Sequence, residues 1–168
     1  MKTNALPHYD DSVNTTDCCP QFNPDGWDDQ VLHFDNKRFL RAVTHSIMHV
    51  PIDMSRVFAR VQKAIADADA QEPGQVLVIS RELSPFKAEH FFAVDKPVPG
   101  EEMTALSGDF ITRVFEGPYS QMGEWAKTME QAARERGAPA KSIAFFYTTC
   151  PKCAKVYGRN HVVGLAEV

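Results

Sequence analysis

The sequence contains no apolar run approaching the length of a membrane span. Its opening residues, MKTNALPHYDDSVNTTD, hold no hydrophobic stretch of the secretory kind. Both features point to a cytoplasmic protein with no membrane partner. A basic stripe is missing as well: 18 Lys and Arg stand against 22 Asp and Glu, for a net charge of −4. That balance gives no electrostatic basis for holding nucleic acid on its own. No Gly-rich phosphate loop, Gly-x-Ser-x-Gly elbow or His-Glu-x-x-His helix occurs, so nucleotide-binding, serine-hydrolase and metalloprotease readings lack support. Cysteine is scarce, with four residues in 168. In a cytoplasmic chain such thiols belong to metal or redox chemistry before disulfides.

What is present suits one domain with a substantial core, since 43% of residues are hydrophobic and 24% charged. The stretch from Phe110 to Tyr147 reads as a strand, a Gly-Pro turn, an amphipathic helix stopped at Gly137, and a second strand. Shifted back 67 positions it falls on another part of the chain. Val43 to His49 then lies on Phe110 to Glu116, Pro51 on Pro118, Asp53 on Ser120 and Phe58 on Trp125. Val76 to Ile79 falls on Ile143 to Phe146. One offset held from first strand to last indicates an internal duplication.

Taken in order, residues 1–30 are polar, and we expect a partly disordered N-terminal arm, ordered only after about Thr16, with Trp27 as its apolar anchor. Residues 31–168 then form the domain, as repeats over about 31–98 and 103–168. A hairpin is expected around Asp35-Asn36-Lys37, then a strand to His49, stopped by Pro51. Asp53 is a candidate N-cap for a helix with Val57, Phe58, Val61, Ala64, Ile65 and Ala68 on its inner face. Pro73-Gly74 ends that stretch, and strands follow at 76–80 and 90–94. The second copy has strands at 103–106 and 110–116, separate from one another, and a helix with Met122, Trp125, Ala126, Met129 and Ala133 inside. Strands at 143–147 and 161–165 close it. Each copy is β-α-β-β. The expected fold is α+β: two units with pseudo-two-fold symmetry, one antiparallel sheet, and two helices on one face.

The duplicated order, with Phe115-Glu116-Gly117-Pro118-Tyr119 leading into the second helix, resembles the GyrI-like (gyrase-inhibitor-like) superfamily. That group includes the effector-binding domains of multidrug-responsive regulators and the SOUL haem-binding relatives. Cys-Cys-Pro-Gln-Phe with Trp27-Asp28, and Tyr147-Thr-Thr-Cys-Pro-Lys-Cys-Ala, look like a subgroup of short stand-alone bacterial proteins labelled hydrolases. The resemblance implies a cleft between the repeats for a flat, apolar, often cationic small molecule, and in some members hydrolysis of reactive electrophiles. Where the family carries an acidic residue near its last strand, this chain reads Gly158-Arg159-Asn160-His161.

Cys150-Pro-Lys-Cys153 is the sharpest local motif. Two thiolates at that spacing can share one zinc ion, which wants two more ligands. Cys18 and Cys19 are the candidates to supply them, with His90 and His161 as further imidazoles. Redox chemistry and plain core packing are the alternatives for the same cysteines. Glu116 and His49 are the catalytic candidates, each at a strand end just before a helix, where a carboxylate and an imidazole could activate water. Glu116 could equally serve only the charge at the helix N-terminus. Trp27, Tyr119, Trp125 and Tyr147 are the candidate ligand-binding aromatics. Three readings follow: a small-molecule hydrolase, a non-catalytic binder, and a thiol or metal protein acting through Cys150 and Cys153. The sequence carries no signal of oligomeric state.

Overall fold

The computed structural model describes residues 1–73 and 77–168. Gly74 of the expected Pro73-Gly74 stop and Val76 of the expected strand lie outside those residues. The chain divides into a central unit, Asn36–Ser107, and a terminal unit made of Met1–Asp35 and Gly108–Val168. Two strands run through the division points: β1 (Val31–Ile47) and, later in the chain, Glu102–Glu116.

In the central unit, β1 is followed by the two-residue β2 (Val50–Pro51), α1 (Met54–Asp67), β3 (Val78–Ser84) and β4 (Lys87–Ala93). The strand pairing among the described residues of this unit is antiparallel. β4 lies between β1, with Phe39 opposite Ala93 and His45 opposite Lys87, and β3, with Val78 opposite Phe92. Alternate residues therefore point to one face, where Leu40, Ala42 and Phe92 meet Val61 and Ile65 of α1. The apolar spacing of α1 supplies that contact: Val57, Phe58 and Ala64 pack against the same cluster. Asp53 stands at the N-cap position but makes no cap hydrogen bond. Its carboxylate instead accepts from the His45 N–H at 2.7 Å and meets the His45 ring at 2.9 Å.

Two buried polar groups sit on β4. Glu89 accepts from Arg41 and Arg81, each Nε 2.7 Å away. Burial pushes its carboxyl up, but the two guanidiniums outweigh that and hold it below its ordinary value. His90 is 1% exposed, with Thr44 Oγ1 2.7 Å from one ring nitrogen and Ser80 Oγ 2.7 Å from the other.

The terminal unit contains β5 (Glu102–Glu116) from Gly108 onward, a 3-10 turn (Tyr119–Gln121), α2 (Met122–Glu135), β6 (Ser142–Tyr147), α3 (Pro151–Tyr157) and β7 (His161–Glu167). β7 is flanked by β5 and β6, both antiparallel to it. One face takes α2: Trp125 packs with Phe145 and Val162, and Met129 with Ile111 and Ala166. The close approach depends on Gly164, where a Cβ would stand 2.7 Å from Met129 Sδ and 2.8 Å from the Phe115 ring. The other face is covered by the first thirty residues. Phe146, one position past Phe145, meets Phe22 edge-on at 6.1 Å and Trp27 at 5.5 Å. Trp27 is 1% exposed, and its indole N–H donates to the His8 carbonyl at 3.2 Å.

The structure is thus mixed α/β with antiparallel strands, and three expectations change. No hairpin forms at Asp35-Asn36-Lys37, because β1 runs straight through, with Asn36 at φ 49°. Asn tolerates that conformation locally, and the backbone need not reverse around it. The separate strands expected at 103–106 and 110–116 are one, with Gly108 at φ 130° inside it. Third, α3 is a helix where only a connection between strands was expected.

Candidate metal centre

α3 starts inside the Cys-Pro-Lys-Cys motif. Cys150 is its N-cap, with Sγ accepting from the Cys153 N–H at 3.5 Å, and Pro151 fills the first helical position. Proline fits there because that N–H has no partner inside the helix. Gly158, at φ 69°, ends the helix after two turns. These signals bring both sulfurs of the motif to the start of α3, with Cys153 1% exposed.

The other two thiols arrive from the N-terminal segment. The Thr16 hydroxyl accepts from the backbone N–H groups of Cys18 at 3.3 Å and Cys19 at 3.4 Å, folding a tight polar turn. Tyr157 of α3 donates its phenol to the Cys19 carbonyl at 2.6 Å. The Cys150 N–H in turn donates to Cys19 Sγ at 3.5 Å. Cys18 and Cys19 sulfurs are 3.6 Å apart, and Thr16 Oγ1 lies 3.3 Å from Cys153 Sγ. All four sulfurs lie within 4.8 Å of one another.

That spacing suits a single ion. Four sulfurs at ~2.3 Å from a tetrahedral centre stand roughly 3.8 Å apart. Burial pushes the Cys19 thiol up, whereas the Thr16 hydroxyl, with the neighbouring cysteines, brings Cys153 down to about 6. A cation at the centre would favour the ionised form of every one. Two backbone N–H groups, from Cys150 and Cys153, already point at sulfur and would support that charge.

The remaining candidates fall elsewhere. Glu116, the last residue of β5, faces His161, the first of β7, with 3.7 Å between Oε2 and Nε2. Arg159 Nε is 3.7 Å from the other oxygen. Burial pulls the His161 imidazole below its ordinary value. Tyr119, Trp125 and Tyr147 join one apolar cluster. Phe115 stacks on Trp125 at 5.4 Å and 14°, and the Tyr119 and Tyr147 rings meet edge-on at 5.5 Å. The Tyr119 phenol donates to the Thr149 carbonyl at 2.9 Å. Trp27 packs on the opposite face of the sheet, around Phe146.

His49 belongs to the central unit, at the tip of the β1–β2 hairpin, with Nδ1 3.0 Å from Glu82 Oε2. His90 has hydroxyl partners at both nitrogens, which leaves neither free for a metal. The sequence reading missed Thr16, Tyr157 and Arg159. A threonine two and three residues before the vicinal cysteines was the available signal for the first. The other two depend on α3.

No described helix is long and apolar enough to cross a membrane. The chain belongs to the bacterial hydrolase family, whose pattern matches residues 9–168. The matched stretch takes in all four cysteines and both residues of the Glu116–His161 pair. No curated protein matches the chain.

Proposed function

We propose that this chain is a small-molecule hydrolase of GyrI-like build in which zinc ties the N-terminal segment to α3. The observation that carries the reading is the convergence of Cys18, Cys19, Cys150 and Cys153 within 4.8 Å. Four sulfurs close a tetrahedral shell and leave no position for substrate, so the ion is structural. This disfavours chemistry acting through Cys150 and Cys153. When bound, zinc would supply a fixed centre of positive charge that keeps the four thiols ionised. The GyrI-like assignment and the duplication draw support from the recurring β-α-β-β order and from α1 and α2, each 14 residues long.

Hydrolysis is supported by the family and by the group around Glu116. Its carboxylate is half-exposed at the end of β5 and is free to take a proton from water. The water oxygen then bonds to an electrophilic carbon of the substrate, and the Arg159 guanidinium is placed to receive negative charge that develops on it. The proton taken by Glu116 then passes to the departing group, directly or through the neutral His161 imidazole 3.7 Å away, and the carboxylate is regenerated.

Metal content and activity test the two halves separately. Protein purified without added metal should carry one zinc per chain. Cys150→Ser with Cys153→Ser should lose it. Glu116→Gln should retain the zinc but lower turnover of activated esters or epoxides by about 100-fold or more. Four free thiols with no metal would discard the zinc centre. Turnover unchanged in Glu116→Gln, or none in the parent protein, would discard hydrolysis at this site. The cluster of Tyr119, Trp125 and Tyr147 at α2 favours one second reading, a non-catalytic binder of flat cations. Quenching of Trp125 fluorescence by a planar cationic dye, without turnover, would support it.

A further inference from the structure

Among its described residues, the central unit leaves six large apolar side chains in the open at one end. Ile47, Met48, Val50 and Ile52 lie on or beside the β1–β2 hairpin, and Leu83 and Phe86 on the β3–β4 hairpin. Each is between 49% and 66% exposed. The two tips are tied together: the Ser46 N–H donates to the Phe86 carbonyl and the His49 N–H to the Pro85 carbonyl, both at 2.8 Å. The six therefore gather at the same end of the unit, on two neighbouring tips. Apolar side chains scattered singly over a surface need no explanation, but a patch of this kind marks a contact.

The turn at its centre adds to the case. Ile47 pairs with Val50, so Met48 and His49 are the two turn residues, at φ 48° and 70°. Asn-Gly is the favoured pair for a two-residue turn with both φ values positive, because a Cβ resists that conformation. Here the backbone conformation is kept, and the side chain it presents is an exposed methionine.

We propose that this patch joins two copies of the chain, tip to tip about a two-fold axis. The six side chains offer on the order of 500 Å² per copy, so two copies with their rims bury more than ~1,000 Å², where specific interfaces begin. The rim has mixed charge. Glu82 and Asp53 lie beside Arg56, Lys87, His45 and His49, with Glu82 and Asp53 already meeting His49 and His45. A two-fold contact sets each patch against itself turned round, so a rim of both signs can pair with its own opposites. An anionic bilayer would instead select cations alone. Strand addition along β2 is disfavoured, since Pro51 has no N–H to offer. The contact is therefore made by side chains at the tips.

Light scattering after gel filtration of the full chain, at loadings up to about 100 μM, should give the mass of a dimer that dissociates on dilution. Met48→Lys with Phe86→Lys should give a monomer with an unchanged circular dichroism spectrum. Met48→Gly, which relieves the positive φ, should leave the monomer as stable or more so and weaken dimerisation at least tenfold. A single-chain mass at every concentration overturns the proposal. So does a dimer that the double substitution leaves intact. Sedimentation of monomeric wild-type protein with phosphatidylcholine–phosphatidylserine vesicles would overturn it too, and would assign the patch to lipid.

Discussion

At the scale of single residues, His90 has the most distinct behaviour. Burial holds its imidazole at about 4, against an ordinary value of 6.5. Thr44 and Ser80 satisfy both ring nitrogens, so the neutral ring loses no hydrogen bond by being inside. The consequence for stability has a definite sign. Between pH 6.5 and pH 4 the unfolded chain binds a proton that the folded chain refuses. The stabilisation is thus complete above 6.5 and is lost as the pH falls towards 4, by about 3 kcal/mol if the ring stays buried. Urea midpoints measured across that range should fall with pH in the parent protein. His90→Gln should be weaker at pH 7 but markedly flatter below 6.5. An equally steep fall in the variant would assign the acid sensitivity to carboxylates such as Glu89.

At the scale of elements, α1 and α2 were legible because their buried positions recur at helical spacing. β6 was legible as a short apolar run, because Phe145 and Phe146 face opposite sides of the terminal sheet and both sides are packed. The two long strands were not legible as such. Asn36 and Gly108 are residues that usually mark turns, yet here they supply a positive φ inside a strand. α3 was missed for another reason: two turns give too little periodicity to read, although Pro151 and Gly158 are its start and stop. The convergence of the cysteines was readable only as an expectation, because it needs both α3 and the Thr16 turn. Register explains the remainder. That Glu116 faces His161 follows from the pairing of β5 with β7, which no local motif encodes. The Thr16 turn can be tested by itself. Thr16→Val removes the acceptor for two N–H groups and the hydroxyl beside Cys153. It should weaken zinc binding by roughly 10- to 100-fold in competition with a chromophoric chelator, with Thr16→Ser restoring most of it. Equal affinities would mean that the sulfurs alone position the ion.

At the scale of the whole chain, the cysteine cluster joins segments far apart in sequence: Cys19 and Cys150 are 131 positions apart. An ion held by both closes a long loop in any state that retains it, and so removes conformational freedom from the unfolded chain. It also adds binding free energy, since zinc would be held by the folded site and only weakly by the unfolded chain. The aromatic contacts of Trp27, Phe22 and Phe146 do not depend on sulfur. Chelation should therefore loosen the cluster first and leave the packed face of the terminal sheet in place. Hydrogen exchange followed by mass spectrometry can separate these. With chelator present, peptides covering residues 16–19 and 150–157 should lose protection and the melting temperature should fall. Peptides from β7, buried between β5 and β6, should keep most of theirs. Loss throughout the terminal unit would mean that the ion is required for its fold, as in domains too small to build a core. No change anywhere would mean that the sulfurs pack without a metal, since removing an ion that bridges the N-terminal segment to α3 must release the segment it holds.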